Sequence, residues 1–300
     1  MSSSKVAVII PVFNDTKRLK LCLTALSQQT YPTELFDVLV VDNNSSEDIK
    51  SVVQEFPFAQ YLFEAKPGSY AARNRALENI DADFIAFTDS DCIPQPNWLE
   101  ASIHCLHSAS ETVGAVGGKV VLFAENERPN LCEYYDMVTG FNQQSYILKD
   151  RFSVTANLII RRIALEKTGP FNDQLMSSGD KDWCLRMQQS DFELAYCEKS
   201  QVAHPARHSI KQIKTKLRRL FGGFYHNHKH VKKDRLFQPL GLLEAAMPPM
   251  KNIRQMQQAD IKLSAITKVK LIGFFYYLKL YTLFFRLGLI FGLINTTERL

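Results

Sequence analysis

The sequence predicts an α/β protein with a mainly parallel, doubly wound sheet, followed by amphipathic C-terminal helices. Segments of strand type and helix type alternate four times between residues 5 and 88, which is the pattern of βαβ units. The first segment, residues 5–10, is an apolar and largely β-branched run, typical of a strand buried on both faces of a parallel sheet. With 46% apolar residues, the 300-residue chain can bury a core of this size.

Four short apolar runs in the first half end in polar residues and are predicted to be strands: residues 5–10, 36–42, 61–63 and 83–88. Apolar side chains at helical spacing predict a helix from Leu19 that ends near Thr30. Further helices are expected from near Glu47 and over residues 71–77. Residues 43–46 are turn formers that we expect to cap the helix that begins near Glu47.

The second half continues the alternation less regularly. Strands are predicted at residues 113–123, 154–160 and 192–197, and helices at 98–107, 163–168 and after Ser178. Residues 125–150 are polar and aromatic without clear periodicity, so we expect a loop or a mobile lid there.

Two carboxylates follow the predicted strand at residues 83–88. Asp89 and Asp91, separated by Ser90, would lie at the carboxyl end of that strand, where open α/β sheets bind their ligands. Carboxylate oxygens in such a place suit Mg²⁺ or Mn²⁺, which share their coordination with substrate phosphates. The pair alone is a weak signal, because loops after strands often carry Asp to form turns.

Five motifs together resemble the family 2 glycosyltransferases, which have the GT-A fold. The motifs are Val-Ile-Ile-Pro-Val-Phe-Asn at 8–14, Val-Val-Asp-Asn-Asn-Ser at 40–45, Ala-Arg-Asn at 72–74, Asp-Ser-Asp at 89–91 and Gly-Asp-Lys-Asp-Trp-Cys-Leu-Arg at 179–186. Each is weak alone, but their order and spacing are specific. The resemblance covers residues 1–208 as a GT-A domain and leaves 209–300 as a basic and hydrophobic helical region.

The resemblance implies a nucleotide-sugar donor, with a UDP-sugar expected, and Mg²⁺ or Mn²⁺ as the cofactor. Asp91 is expected to bind the metal, which grips the donor diphosphate and improves the leaving group. Asp89 and His204 are the other candidate ligands, although a lone His is as often structural. Asp89 would alternatively hold the ribose or Arg73, and Arg73 would pair with a phosphate, pair with Asp89 or remain a solvated helix charge.

The remaining donor contacts are expected near the ends of the first two strands. Phe13 is placed to stack on a nucleobase or to be an ordinary half-buried ring. Asp42 is placed to accept hydrogen bonds from the base or ribose, or to cap a helix. The complete set of candidate donor-binding residues is Pro11, Phe13, Asn14, Asp42, Asn44, Arg73, Asp89 and Ser90.

A second acidic cluster is expected to supply the catalytic base. In the family this position usually reads Glu-Asp, and alignment on the following motif places Asp180 on that Asp and Gly179 on the Glu. Asp182 is the second candidate. Both carboxylates would also be favourable at a helix start for structural reasons alone, through the helix dipole.

Composition bounds the compartment and the partners. The six cysteines are scattered without a C-x-x-C pair, which predicts reduced thiols in the cytosol, and the N-terminal segment does not resemble a secretory signal. The net charge of +5 is concentrated in residues 207–235, which suggests an anionic partner, and nothing resembles a nucleic-acid-binding module. His226, His228 and His230 are interpreted as solvated surface rather than a metal site.

The C-terminal residues 270–294 are aromatic and aliphatic almost throughout. Lys279 and Arg286 interrupt them at a spacing of seven, so they share one helix face. Two central cations disfavour a spanning helix, whereas a helix lying in the membrane plane tolerates them because the long side chains reach the headgroups. We therefore expect peripheral attachment to the cytoplasmic face of a membrane, with one weak transmembrane helix or a core-packing helix as the alternatives.

The predicted function is metal-dependent transfer of a sugar from a nucleotide-diphosphate sugar to a saccharide or lipid-linked acceptor, with inversion, in polysaccharide or glycoconjugate synthesis. One alternative is a sugar nucleotidyltransferase, although Pro-Val-Phe-Asn at 11–14 is not the Gly-rich, Arg-containing loop of that class. The other alternative is a protein that binds nucleotide without catalysis, against which the intact Asp89, Asp91 and Asp180 argue.

Overall fold

The computed structural model describes residues 4–78, 80–175, 177–227, 237–259 and 261–294. The chain divides into two compact units. Unit 1 comprises Met1–Val121, Phe141–Gln174 and Gly179–His204. Unit 2 comprises Leu122–Gly140, Leu175–Ser178 and Pro205–Leu300.

The first four strands form a parallel half-sheet. They are β1 (Val6–Val12), β2 (Phe36–Asp42), β3 (Ala59–Phe63) and β4 (Phe84–Phe87), in the spatial order β3-β2-β1-β4. Every residue of β1 is buried, which agrees with its apolar sequence. The connecting helices are α1 (Thr16–Leu26), α2 (Ile49–Gln54) and α3 (Ser69–Leu77). The side chain of Asp48, and not one of residues 43–46, caps α2 by accepting from the amide of Ser51.

The other half of the eight-stranded sheet is largely antiparallel. Its strands are β5 (Ile93–Pro94), β6 (Val113–Phe123), β7 (Leu158–Arg161) and β8 (Glu193–Pro205), and the order continues β4-β7-β6-β8-β5. The strand β7 runs antiparallel to both β4 and β6, and β5 runs antiparallel to β8. The predicted α/β class is therefore confirmed, with a mixed sheet in which the regular βαβ alternation of the sequence accounts for the parallel part.

Three more helices of unit 1 follow the predictions closely: α4 (Trp98–Ser108), α7 (Arg162–Thr168) and α8 (Gly179–Gln189). Cys105 of α4 and Cys197 of β8 form a disulfide, so the prediction of reduced thiols is wrong at these two positions. The two residues are 92 apart in sequence and no local motif marks them, since the fold alone brings them together. The other four cysteines are free thiols.

The prediction of a loop over residues 125–150 is wrong. This stretch forms α5 (Leu131–Thr139) and α6 (Gln143–Asp150). The helix α5 starts with a capping box in which Asn130 and Glu133 satisfy each other's backbone amides. Helices of nine and eight residues are too short to show a clear hydrophobic period, which is why the sequence pattern missed them.

Unit 2 is helical, with α9 (Ile210–Asn227), α10 (Pro239–Ala246), α11 (Met250–Gln258) and α12 (Ala265–Ile290) in addition to α5. The buried face of α12 contributes Leu271 and Phe275 to one apolar cluster and Phe285 and Leu289 to another. Within the residues described, no helix is long and apolar enough to cross a membrane.

The two cations of α12 do not extend outward as the sequence suggested. The Lys279 ammonium donates to the backbone carbonyl of Glu244 at 2.9 Å, and the buried Arg286 guanidinium donates to that of Gly241 at 3.4 Å. Their shared face therefore packs against α10, and the Glu244 carbonyl lies in the last turn of that helix, where a cation is favoured. The expectation that these side chains reach lipid headgroups is wrong.

Part of the basic stretch is likewise used internally. Asp136 of α5 is fully buried and accepts hydrogen bonds from the Arg207 guanidinium and the Lys216 ammonium, both at 2.9 Å. Burial raises the pKa of Asp136, but its two cationic partners outweigh burial, and the net effect lowers it. Residues 228–236, which carry the rest of that stretch with His228 and His230, lie outside the described residues.

One buried amide connects three segments of unit 1. Asn157, which lies just before β7, accepts hydrogen bonds from the Trp98 indole at 2.9 Å and from the Ser200 hydroxyl at 3.1 Å. Its amide nitrogen donates to the carbonyls of Lys119 at 3.0 Å and Ser200 at 3.1 Å. All four hydrogen-bonding positions of the side chain are occupied in a fully buried place.

We expect Asn157→Ala to lower the free energy of unfolding by ~2–4 kcal/mol, because several buried polar groups lose their partners at once. Both tryptophans, Trp98 and Trp183, belong to unit 1, so the urea midpoint followed by tryptophan fluorescence reports on this unit. The exposed Gln54 of α2, which also belongs to unit 1, is the control, and Gln54→Ala should change stability by at most ~0.5 kcal/mol. Equal midpoints for the two variants would contradict this role of Asn157.

Candidate active site

The strand order places a ligand-binding position at the carboxyl ends of β1 and β4. From β1 the chain forms β2 and β3 on one side and then returns to form β4 on the other side. The carboxyl ends of β1 and β4 therefore flank a topological switch point, where open α/β sheets bind ligands. The segment after β1 contains Phe13 and Asn14, and the segment after β4 contains Asp89, Ser90 and Asp91.

The loops after β1 and β2 are joined by Asn14. The side-chain oxygen of Asn14 accepts from the Ser46 backbone amide at 2.7 Å, and the backbone amide of Asn14 donates to the Ser45 hydroxyl at 3.0 Å. Asn14 and Asn44 both adopt left-handed backbone conformations, with φ of 51° and 64°. Asn tolerates this region better than most residues, so these two predicted donor-binding residues shape the loops through their backbone.

Asp42 ends β2 and is almost completely buried. One carboxylate oxygen accepts from the Ser45 amide at 2.9 Å and the other from the Tyr61 hydroxyl at 3.0 Å. Burial and the neighbouring carboxylate raise the pKa of Tyr61 to about 12, so this hydroxyl remains a donor. Asp42 thus holds the turn after β2 and does not cap α2.

Asn43, which sequence reasoning passed over, fixes the segment that leads into α3. Its side chain donates to the carbonyls of Glu64 at 3.1 Å and Lys66 at 2.7 Å and accepts from the amide of Gly68 at 2.8 Å. Gly68 has a φ of 128°, which only glycine adopts readily. The only signal available in the sequence was that Asn43 is the first Asn of an Asp-Asn-Asn turn.

Two candidates at β1 differ in accessibility. Phe13 is 48% exposed, so this aromatic residue is not buried in the core. Pro11 is buried in β1 opposite Val41 and contributes to the sheet. Ser90 is half-buried between the two aspartates.

Arg73 of α3 lies beneath the acidic pair. Its guanidinium donates to Asp89 at 2.5 Å, and only 2% of the residue is exposed. The interpretation of Arg73 as a solvated helix charge is therefore wrong. Within the described residues, its Nε atom is buried without a hydrogen-bond partner.

Asp91 faces His204, which lies near the end of β8. The His204 Nε2 atom is 3.4 Å from a carboxylate oxygen of Asp91, and the ring of Phe141 packs on the imidazole with centroids 5.0 Å apart. Burial raises the pKa of Asp91 and Asp89 adds to that effect, whereas His204 opposes it. A desolvated carboxylate beside a second carboxylate is a favourable place for a cation.

The donor set fits a hard divalent cation. Ligand atoms of Asp89, Asp91 and Cys92 lie within 4.8 Å of one another. Burial raises the pKa of the Cys92 thiol well above its usual value, so it stays protonated, and its sulfur lies 3.9 Å from the Ala156 carbonyl. The two carboxylates are therefore the groups of this set that could hold such an ion, and His204 could supply an adjacent nitrogen donor.

Asp180 occupies the first turn of α8. A carboxylate oxygen accepts from the Lys181 amide at 2.9 Å and lies 3.5 Å from the Tyr70 hydroxyl. Burial raises the pKa of Asp180, while the Lys181 amide and the charge of Arg73 partly offset this. A carboxylate with a raised pKa in a ligand-binding region has the properties of a general base.

Asp182 has a different environment. Its carboxylate accepts from the Arg186 guanidinium at 2.9 Å, one helical turn further on. Arg186 also donates to the carbonyls of Thr168 and Pro170, both at 2.8 Å, and so fixes the segment before α8. This arrangement explains Asp182 as a structural residue and separates it from Asp180.

The structure thus groups most of the predicted residues in unit 1. Asp89 connects to Arg73 and Asp91 to His204, while the charge of Arg73 also acts on Asp180. The parts missed by the sequence analysis are Tyr70 and Asn43, because a Tyr or Asn in a turn or helix carries no signal of its own.

Known proteins provide an independent comparison. The sequence profile of Glycosyl transferase family 2 matches residues 7–169. The chain is 35% identical over 218 residues to Glycosyltransferase AglE of Haloferax volcanii, covering 71% of each protein. It is 21% identical over 221 residues, 69% of each protein, to the Dolichyl N-acetyl-alpha-D-glucosaminyl phosphate 3-beta-D-2,3-diacetamido-2,3-dideoxy-beta-D-glucuronosyltransferase of Methanococcus voltae.

Among solved structures, the Mannosyltransferase PcManGT from Pyrobaculum calidifontis in complex with GDP-Man and Mn²⁺ has the same fold. The TM-score is 0.63 at 18% identity, and the alignment covers 96% of this chain and 88% of that one. This similarity confirms the predicted GT-A fold, and the family match extends over more than half of the sequence. The chain is a glycosyltransferase that belongs to Glycosyl transferase family 2.

Proposed function

We propose that the protein transfers a sugar from a nucleotide-diphosphate sugar to a hydroxyl of a saccharide or lipid-linked acceptor, with metal assistance and inversion at the anomeric carbon. The observation that carries the proposal is the arrangement around Arg73. Its guanidinium pairs with Asp89, a candidate metal ligand, and its charge lowers the pKa of Asp180, the candidate base. The buried Arg73 thus interacts both with a carboxylate proposed for the donor side and with the carboxylate proposed for the acceptor side.

On the donor side, Asp91 and Asp89 would hold Mg²⁺ or Mn²⁺, with His204 beside them. The ion would neutralise charge on the departing nucleoside diphosphate. The exposed ring of Phe13 and the buried carboxylate of Asp42 would contact the nucleoside. A UDP-sugar is the donor we propose first, and a GDP-sugar is the alternative because the Pyrobaculum neighbour binds GDP-Man.

On the acceptor side, Asp180 would act as the base. The acceptor oxygen attacks the anomeric carbon, its proton passes to the Asp180 carboxylate, and the bond from that carbon to the diphosphate oxygen breaks. A single displacement of this kind inverts the anomeric centre. Because burial raises the pKa of Asp180, turnover should fall as pH decreases through a range above that of an ordinary aspartate.

The acceptor and the location are proposed together. The relative from Methanococcus voltae is named for a dolichyl-phosphate-linked substrate, which supports a lipid-linked acceptor here. We propose attachment to the cytoplasmic face of a membrane through unit 2, in polysaccharide or glycoconjugate synthesis. Because disulfides are rare in the cytosol, the disulfide between Cys105 and Cys197 does not support the cytoplasmic location, which is part of the proposal.

The support for membrane contact lies in exposed apolar side chains of unit 2. At the start of α12, Ile266 and Val269 are 69% and 71% exposed, and the exposed Lys268 and Lys270 lie beside them. Alternating apolar and cationic side chains on a surface suit an anionic lipid interface. Further apolar side chains of unit 2 are more than half exposed: Leu240, Leu243, Met247, Met250, Phe284, Phe291 and Leu293.

Asp91→Asn should abolish the Mn²⁺-dependent stabilisation by nucleotide. For the wild type, UDP or GDP at 100 times its Kd with Mn²⁺ should stabilise the native state by ~2.7 kcal/mol, and the rise in Tm measures this. Asp37→Asn makes the same charge change at an exposed position of β2 and should retain the full rise. A Mn²⁺-dependent rise that survives in Asp91→Asn would exclude Asp91 as a metal ligand, and no rise for any nucleotide with the wild type would contradict the proposed donor site.

Asp180→Asn should lower kcat by at least ~100-fold while donor affinity stays within about twofold, because the amide cannot accept the proton. Asp182→Asn is the matched control on the same helix turn. It removes a half-exposed ion pair worth at most ~1 kcal/mol and should retain turnover. Normal transfer by Asp180→Asn, measured as nucleoside diphosphate release with acceptor, would remove Asp180 from the mechanism.

The double variant Ile266→Glu with Val269→Glu should reduce flotation with vesicles that contain anionic lipid, since it places two carboxylates at the proposed contact. Leu21→Glu with Leu148→Glu is the control, because these residues are exposed on α1 and α6 of unit 1. Equal flotation of both double variants and the wild type would contradict attachment through this surface.

A further inference from the structure

Gly179 and Tyr70 occupy complementary space at the start of α8. A Cβ atom built on Gly179 would lie 2.7 Å from the Tyr70 ring, closer than real Cβ atoms approach a neighbour. Position 179 is where the family usually carries a Glu before the catalytic Asp. The tyrosine ring fills the place that a side chain at position 179 would need, so the absence of the acid and the presence of the ring belong together.

The Tyr70 ring is held rigidly by its surroundings. It stacks on Phe171 with centroids 5.8 Å apart and planes 26° apart, and it is 9% exposed. Phe171 is itself packed edge-on against Phe87 of β4 and tilted against Trp183 of α8. A ring fixed on both the sheet and the helix leaves its hydroxyl with one position.

That hydroxyl points at the carboxylate of Asp180. The oxygen of Tyr70 lies 3.5 Å from a carboxylate oxygen of Asp180, and the backbone amides of Gly179 and Asp180 also interact with it. Burial raises the pKa of the Tyr70 hydroxyl, so it stays protonated and remains a donor throughout the range in which an enzyme is assayed.

The Tyr70 ring also contacts Arg73, on the donor side of the site. The Arg73 guanidinium lies 5.8 Å from the Tyr70 ring centroid while it pairs with Asp89. A cation held over an aromatic face is stabilised, and more so where water is excluded. Tyr70 therefore contacts both the cation that pairs with the donor-side carboxylate and the carboxylate on the acceptor side.

We propose that Tyr70 is a positioning residue that orients Asp180 for proton transfer, in the role left open by the missing acid at position 179. The inference rests on the proposed role of Asp180 as the base. Tyr70 acts through that carboxylate: it fixes the direction of one carboxylate oxygen and leaves the other available to the acceptor hydroxyl. Displacement of a catalytic group by about 1 Å can cost on the order of 100-fold in rate.

The test is Tyr70→Phe, which keeps the ring and removes the hydroxyl. We expect kcat to fall about tenfold or more, with an unchanged KM for the donor and an unchanged Tm. The acidic limb of the kcat profile should move to higher pH, because the ionised carboxylate loses a donor. Tyr31→Phe is the control, since it removes another buried hydroxyl of unit 1, which donates to the Ser4 carbonyl at 2.6 Å. Its kcat and pH profile should match the wild type.

A double-mutant cycle separates the two proposals. If Tyr70 acts through Asp180, Tyr70→Phe should lower the residual rate no further in the Asp180→Asn background. Equal, additive losses in both backgrounds would overturn the inference, as would a Tyr70→Phe enzyme with wild-type kcat and pH profile while Asp180→Asn is inactive. Normal turnover by Asp180→Asn would instead refute the proposed base, and the positioning role with it.

Discussion

The ion pair between the buried Arg73 guanidinium and the half-buried Asp89 carboxylate is the interaction on which the site depends. A guanidinium that is 2% exposed must be paired, because an isolated buried charge costs several kcal/mol. The pair therefore fixes α3 against the end of β4, and the direction of the Asp89 carboxylate follows from it. The same cation lies over the ring of Tyr70 and lowers the otherwise raised pKa of Asp180. Removal of this one charge would disturb the donor-side acids and the base together.

The parallel half-sheet explains why these groups meet. After β1 the chain adds β2 and β3 on one side of that strand and then places β4 on its other side. The loop with Phe13 and Asn14 and the loop with the acidic pair therefore emerge at the same edge of the sheet. The antiparallel strand β7 then continues the sheet beside β4, and β8 delivers His204 to Asp91. Every predicted metal-binding group thus lies at or just after the end of a strand.

Unit 2 uses its charges in an unexpected way. Arg286 and Lys279 bond to carbonyls of α10, and Asp136 neutralises two cations of the basic stretch. These four cations bond to groups within unit 2, so we do not assign them to lipid headgroups. Exposed apolar side chains such as Ile266 and Val269 remain, with lysines beside them in the first turns of α12, so we base the proposed attachment on hydrophobic contact rather than on the predicted snorkelling of central cations.

The sequence by itself determined the family, the parallel strands and the acidic positions, because these depend on short-range order: continuous apolar runs, turn residues and motif spacing. The short helices α5 and α6, the disulfide and the inward use of Lys279 depend on partners distant in the chain, and no local pattern encodes them. The tertiary structure alone decided that Asp180 faces Tyr70, which is 110 residues away in sequence, whereas Asp182 pairs with Arg186 one turn further along the same helix. Two carboxylates two residues apart on a helix point in different directions, so only the packing of α8 distinguishes a structural acid from a candidate base.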